Sequence, residues 1–135
     1  MPQSAPAHRS AGPLALVAVA ALAQVYVGLP LFVGGLPVSS DLAIHFAEIA
    51  QIARSIEHGD LSLWNPMFNL GFASGYFYQA LPQLAVALPY LLLGKLVPLL
   101  LLYKVSLVAP MVLLPLTAYR GLRVAGVTPW SAAVA

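Results

Sequence analysis

The chain has 135 residues, 61% of them hydrophobic and 7% charged, and its mean hydropathy is +0.89. A soluble domain carries about 25% charged residues. Composition therefore excludes a soluble globular domain, a disordered chain and a nucleic-acid module, and leaves an integral membrane protein made of helices. Six basic and four acidic residues give a net charge of +2 without a basic patch, and the lack of cysteine excludes disulfides, thiol catalysis and thiolate metal sites.

The length suits about three or four crossings of ~20 residues and one sizeable loop. Residues 1–12 are small and polar, as in a disordered cytoplasmic tail. Residues 13–33 hold no charge, and Gln24 is their one strongly polar side chain. This predicts a first transmembrane helix. A cleaved signal peptide competes, with His8 and Arg9 as its basic region and Ala21-Leu22-Ala23 as its cleavage site. The apolar run continues to Val33, which favours an uncleaved anchor.

Residues 34–78 form the long polar segment. Asp41, Glu48, Glu57 and Asp60 all lie here, against Arg54 alone, so the segment carries a net charge of about −3. Cytoplasmic loops are enriched in Lys and Arg, so this loop is expected outside and the N-terminus inside. Ser39, Ser40 or Asp41 supplies a helix cap. A helix over about 41–58 follows, with Leu42, Phe46, Ile49, Ala53 and Ile56 forming one apolar stripe. Gly59 stops it. Such a helix lies in the membrane interface with its stripe in lipid or protein. Arg54, at the edge of the stripe, is expected to snorkel to lipid phosphates.

Asp41, His45 and Glu48 recur at i, i+4 and i+7 on a different face. That face has two readings. It is either the solvated side of an interfacial helix, with Asp41 as cap, or a general-base or metal-assisted site. In the second reading a carboxylate deprotonates an acceptor hydroxyl, and the imidazole orients it or shares a divalent cation. Asp41 and Glu48 are the candidate metal ligands. Glu57-His58-Gly59-Asp60 reads as a helix end and a turn, with His58 near the negative helix terminus.

Residues 64–78 hold six of the thirteen aromatics. They form either an aromatic belt at the membrane surface or a wall against which a sugar or lipid head-group packs. Residues 79–94 are apolar but short and contain Pro82 and Pro89. Gly94-Lys95 reads as a turn before a further span over 97–119, in which Lys104 is expected to snorkel to the interface. If both segments cross, Arg120 and Arg123 emerge outside, against the positive-inside tendency; if 79–94 only dips into the membrane, they emerge inside. Two crossings are preferred, because of the Gly94-Lys95 turn. Residues 127–135 read as the start of another membrane helix, with Pro129 at its first position. The expectation is the N-terminal piece of a longer polytopic protein, against the alternative of a short natural tail.

The order of motifs adds a family resemblance. Asp41-x-x-x-His45 is followed by Gly59-Asp60-Leu-Ser-Leu-Trp64-Asn-Pro66, then Gly71, Tyr76-Phe-Tyr78 and Pro82, and later Tyr119-Arg120-Gly-Leu-Arg123. This resembles the start of polytopic membrane glycosyltransferases of the GT-C type, nearest the branch described as membrane proteins related to 6-pyruvoyl-tetrahydropterin synthase. The resemblance implies an all-α fold of transmembrane helices whose outer loop carries an amphipathic helix. It also implies transfer of a sugar from a polyprenyl-phosphate donor at the outer face of the plasma (inner) membrane. Asp41 and His45 take the catalytic places, Asp41 as base or metal ligand. Trp64, Tyr76 and Tyr78 are the candidate substrate-binding residues. A divalent cation is the candidate cofactor and membrane lipid the expected partner, with no nucleic acid. An active GT-C protein has many more spans, so this stretch alone is expected to be inactive. A non-catalytic membrane protein, such as a transporter subunit or an assembly factor, is the alternative.

Overall fold

The computed structural model describes residues 11–35, 40–62, 64–66, 72–73 and 80–135. Most of them are helical. The helices are α1 (Ala11–Gly28), continued by a 3-10 turn (Leu29–Phe32), then α2 (Ser40–Glu57), α3 (Ala80–Leu92), α4 (Leu99–Val124) and α5 (Pro129–Val134). A two-residue antiparallel ladder interrupts the all-helical plan. In it β1 (Trp64–Asn65) pairs with β2 (Phe72–Ala73) in the register Trp64↔Ala73 and Asn65↔Phe72.

Two helical stretches, Ala11–Phe32 and Leu99–Val124, are long and apolar enough to cross a membrane. Their most apolar windows are only 11% and 17% buried. A core helix of a soluble protein would be covered by its neighbours, whereas these leave large side chains such as Leu22, Tyr26, Leu114 and Val124 exposed. By contrast α3 has 13 residues, about 20 Å of helix, which is short of the ~30 Å hydrocarbon core. It is the described part of the short apolar segment expected over 79–94.

The chain forms two compact units, Met1–Leu29 with Val108–Ala135, and Pro30–Leu107. In the first unit, α1 packs against α5. Pro13 and Val17 are buried, as is Ala132 on α5. Thr128 caps α5 by accepting from the Ser131 amide at 3.3 Å, and Pro129 begins the helix, where its missing N–H costs nothing. At the far end of α1, Gly28 lies against the Val108 methyl groups.

In the second unit, the stripe of α2 meets α3 and the first turns of α4. Ile49, Ile52, Ala53, Val86, Ala87 and Tyr103 form the buried centre, with Leu42, Phe46 and Ile56 packed against it. The stripe expected to face lipid or protein faces protein here. The two helices end in the same way. At the end of α2 the Asp60 amide donates to the Ser55 carbonyl (2.8 Å) and the Gly59 amide to Ile56 (3.0 Å), with Gly59 at φ +76°. At the end of α3 the Lys95 amide donates to Tyr90 (3.1 Å) and the Gly94 amide to Leu91 (2.9 Å), with Gly94 at φ +59°. Both are Schellman caps, in which glycine takes the left-handed position without a Cβ penalty.

Candidate functional site

Of the residues singled out from the sequence, Asp41, His45 and Glu48 lie on α2. Asp41 lies exposed in its first turn, where a carboxylate is favoured by the positive helix end. The structural descriptions of Ser39 and of the Ser40 side chain lie outside the described residues. His45 is one turn further on, half-exposed, with Nδ1 3.5 Å from Glu48 Oε2.

Glu48 departs from the reading of a solvated face. It is buried at 4% exposure, beside Gln83 of α3, whose Nε2 donates to Glu48 Oε2 at 3.4 Å. The cause is its position between the stripe residues. Glu48 adjoins Ile49 and lies one turn before Ile52, so packing that stripe on Val86 and Ala87 carries the carboxylate into the contact. Gln83 is equally buried, and its Oε1 has no hydrogen-bond partner. Asp41 and Glu48 are seven residues apart, about 10 Å along the helix axis. Among the described residues, no three His, Cys, Asp or Glu side chains converge as a metal site.

The start of α2 is held from α4. Tyr103 Oη donates to the Leu42 carbonyl at 3.0 Å, and its ring meets Phe46 at 5.6 Å between centroids, tilted by 44°. Lys104 is 4% exposed, and its Nζ donates to the Gly34 carbonyl at 2.7 Å. The lysine expected to snorkel is instead tied inward to the chain that leaves the first apolar stretch. That partner is 70 residues away in sequence, so no local pattern announced it.

The other end of α2 is polar and exposed. Arg54 Nε donates to the Ala50 carbonyl at 3.2 Å, and His58 Nδ1 donates to the Arg54 carbonyl at 2.7 Å. With Gln51, Ser55 and Asp60 they line a shallow, open hollow. The Asp60 carboxylate accepts from the Ser62 amide at 2.9 Å, and its bonds with Ser62 hold its pKa below the usual aspartate value. Glu57 forms an ion pair with Lys95, in the turn between α3 and α4. The hydrogen bond and charge of Lys95 lower the Glu57 pKa, and Glu57 in turn raises that of Lys95.

Trp64 stands exposed on β1, next to the buried Asn65. Tyr76 and Tyr78, and with them most of the expected aromatic wall, lie outside the described residues. Sequence reasoning missed Gln83 and Tyr103. Their one signal was a polar group within an apolar helix, which must find a partner when buried. No protein-family model, no curated protein and no solved structure matches this chain.

Proposed function

We propose that this chain forms the first spans and first outer loop of a GT-C-type membrane glycosyltransferase, with α1 and α4 crossing the membrane and α2 at the outer face. The observation that supports the reading is the setting of Asp41. It is an exposed carboxylate on the first turn of a helix that is anchored further along by the buried Ile49, Ile52 and Ala53, with His45 one turn away. A general base needs this combination of access and a rigid support.

In the proposed reaction an acceptor hydroxyl attacks the anomeric carbon of a sugar carried on a polyprenyl phosphate. The new C–O bond forms as the bond to the phosphate oxygen breaks. Asp41 takes the hydroxyl proton, and the lipid phosphate leaves with the electron pair. Membrane lipid surrounds the apolar faces of α1 and α4, and the exposed Trp64 offers a stacking surface for the sugar. Any divalent cation would act through Asp41, since Glu48 is turned to α3.

The test is Asp41→Asn in the full-length gene product, assayed for sugar transfer from a polyprenyl-phosphate donor in membranes. Loss of at least 100-fold in rate, the scale of general-base contributions, with normal expression is expected. Unchanged transfer removes the base role. Lys104 supports a second reading, because an ionisable residue buried on an apolar helix is a common mark of a transport path. Solute uptake that stops with Lys104→Met, while Asp41→Asn has no effect, selects a transporter subunit instead.

A further inference from the structure

We propose that Tyr103 and Lys104, adjacent on α4, are positioning residues for Asp41: together they fix the chain that carries this carboxylate into α2. The inference rests on the reading of Asp41 as the base of the transfer, and adds the part of the site that holds the base in place.

Three observations carry it, all within the unit Pro30–Leu107. First, two bonds from α4 end on one short piece of chain. Lys104 Nζ donates to the Gly34 carbonyl at 2.7 Å, and Tyr103 Oη to the Leu42 carbonyl at 3.0 Å. Gly34 precedes Asp41 in the chain, and Leu42 follows it directly. Both bonds end on backbone oxygens, so they set the course of the chain itself. The Tyr103 ring also meets Phe46, one turn further along α2.

Second, Lys104 is 4% exposed on an apolar helix, and among the described residues the Gly34 carbonyl is its one hydrogen-bond partner. A buried ammonium carries a desolvation cost that a single carbonyl does not offset. A methionine would fill the same place without that cost, so folding alone does not account for a lysine here. What the ammonium supplies, and a methyl group cannot, is a directed bond to the chain entering α2.

Third, Gly34 takes φ +107°, although a Cβ built there would meet nothing within 4 Å. Glycine is therefore favoured by the direction of the backbone and not by crowding. That direction belongs to the residue whose carbonyl Lys104 holds.

The consequence is positional. Helix ends fray, and the buried centre of α2 lies beyond its first turn, at Ile49, Ile52 and Ala53. The two bonds from α4 hold the turn that this packing leaves loose. A general base must reach its proton within about 2.6–3.2 Å, and a misplacement of about 1 Å costs about 100-fold in rate.

The experiment compares Lys104→Met, Tyr103→Phe and Gly34→Ala with Asp41→Asn in the full-length gene product, with a radiolabelled polyprenyl-phosphate hexose as the probe. Lys104→Met is expected to lower kcat by about 100-fold and to leave the KM for the probe unchanged, because the donor still binds while the base is misplaced. Its thermal midpoint in detergent should be unchanged or higher, since Gly34 is exposed and water takes the ammonium's place at its carbonyl. Tyr103→Phe keeps the ring on Phe46 and should show a smaller loss of kcat, again with KM unchanged. Gly34→Ala combined with Lys104→Met should lose no more than the larger single change, because both act on one bond.

A fall in thermal midpoint that parallels the loss of transfer makes Lys104 merely structural and overturns the proposal. So does full transfer by Lys104→Met while Asp41→Asn is inactive, a result that leaves the transfer reading standing. Normal transfer by Asp41→Asn, or none by the unaltered chain, overturns the transfer reading and the positioning role with it. Hydrogen exchange tests the tie without any substrate. In Lys104→Met the Ile44, His45 and Phe46 amides should exchange faster while α3 amides keep their protection. Unchanged exchange at these three amides overturns the proposal.

Discussion

The two units are held together by different means. In the unit of Met1–Leu29 and Val108–Ala135, among the described residues, every side-chain hydrogen bond is local, such as Thr117 to the Leu113 carbonyl and Arg123 to the Val127 carbonyl. Its helices meet through small residues. Gly12 lies against the Trp130 ring and Gly28 against Val108. In the unit of Pro30–Leu107 an apolar centre is crossed by long-range polar contacts, from Gln83 to Glu48, Tyr103 to Leu42, Lys104 to Gly34 and Lys95 to Glu57. The difference follows from the solvent each sequence suits. Apolar helices in lipid gain little from burying more apolar surface, so close approach of small residues replaces it. An amphipathic helix gains from its stripe, and its flanking polar groups must then be satisfied or compensated.

The largest expected effect tests this contrast at the buried stripe. Ile52 is 3% exposed at the centre of the α2–α3 contact. Ile52→Ala removes buried methyl groups and leaves a cavity, at a cost of about 2–5 kcal/mol. Hydrogen exchange in detergent should show α2 amides losing protection while α1 amides keep theirs. Equal loss in both helices would show that the two units unfold as one.

A smaller effect is expected in the apolar unit. A Cβ at Gly28 would stand 2.9 Å from Val108 Cγ1. Overpacking costs about 1–3 kcal/mol, whereas replacing glycine by alanine in a helix gains about 1 kcal/mol. The clash wins, so Gly28→Ala is expected to destabilise by about 1 kcal/mol net. Adding Val108→Ala should return that loss, because the two changes share one contact. Chemical denaturation of the four-member mutant cycle reads the coupling. Additive effects would mean that the close approach does not hold α1 in place.

Local patterns carried the elements well. The stripe from Leu42 to Ile56 and the stop at Gly59 correspond to a helix over Ser40–Glu57. The turn read at Gly94-Lys95 matches the left-handed conformation of both residues. What escaped has one physical cause, because it depends on which elements meet. Glu48 shares its helical face with Asp41 by spacing, yet a packed helix buries an arc wider than its apolar stripe. Lys104 resembled any interfacial lysine until its Gly34 partner was seen. The β1–β2 ladder is two residues long on each side, too short for any alternation to register. In the candidate site, Asp41 and His45 were legible from their spacing, whereas Gln83 required knowledge of the α2–α3 contact.

The smallest expected effect lies at the rim of the polar unit, where Glu57 pairs with Lys95. Both groups are exposed, so the pair is screened by salt and contributes little. Its pH signature is nevertheless definite. The Glu57 pKa is lowered from 4.5, so its contribution is present above that value and is lost as pH falls through the lower folded value. The Lys95 pKa is raised from 10.5, so its contribution is present below that value and disappears as pH rises through the higher folded value. Between these limits the pair is intact. Lys95 also adopts φ +63°, a conformation that favours glycine. Lys95→Gly therefore removes the charge partner and relieves the backbone at once, whereas Lys95→Met removes only the partner. In low salt, Lys95→Met should lower the midpoint of thermal unfolding slightly near neutral pH and lose that difference below the folded Glu57 pKa. Lys95→Gly should offset part of the loss, since the relieved backbone works against the missing ion pair. A Lys95→Met difference that persists unchanged in strong acid would assign the effect of Lys95 to its aliphatic packing rather than to its charge.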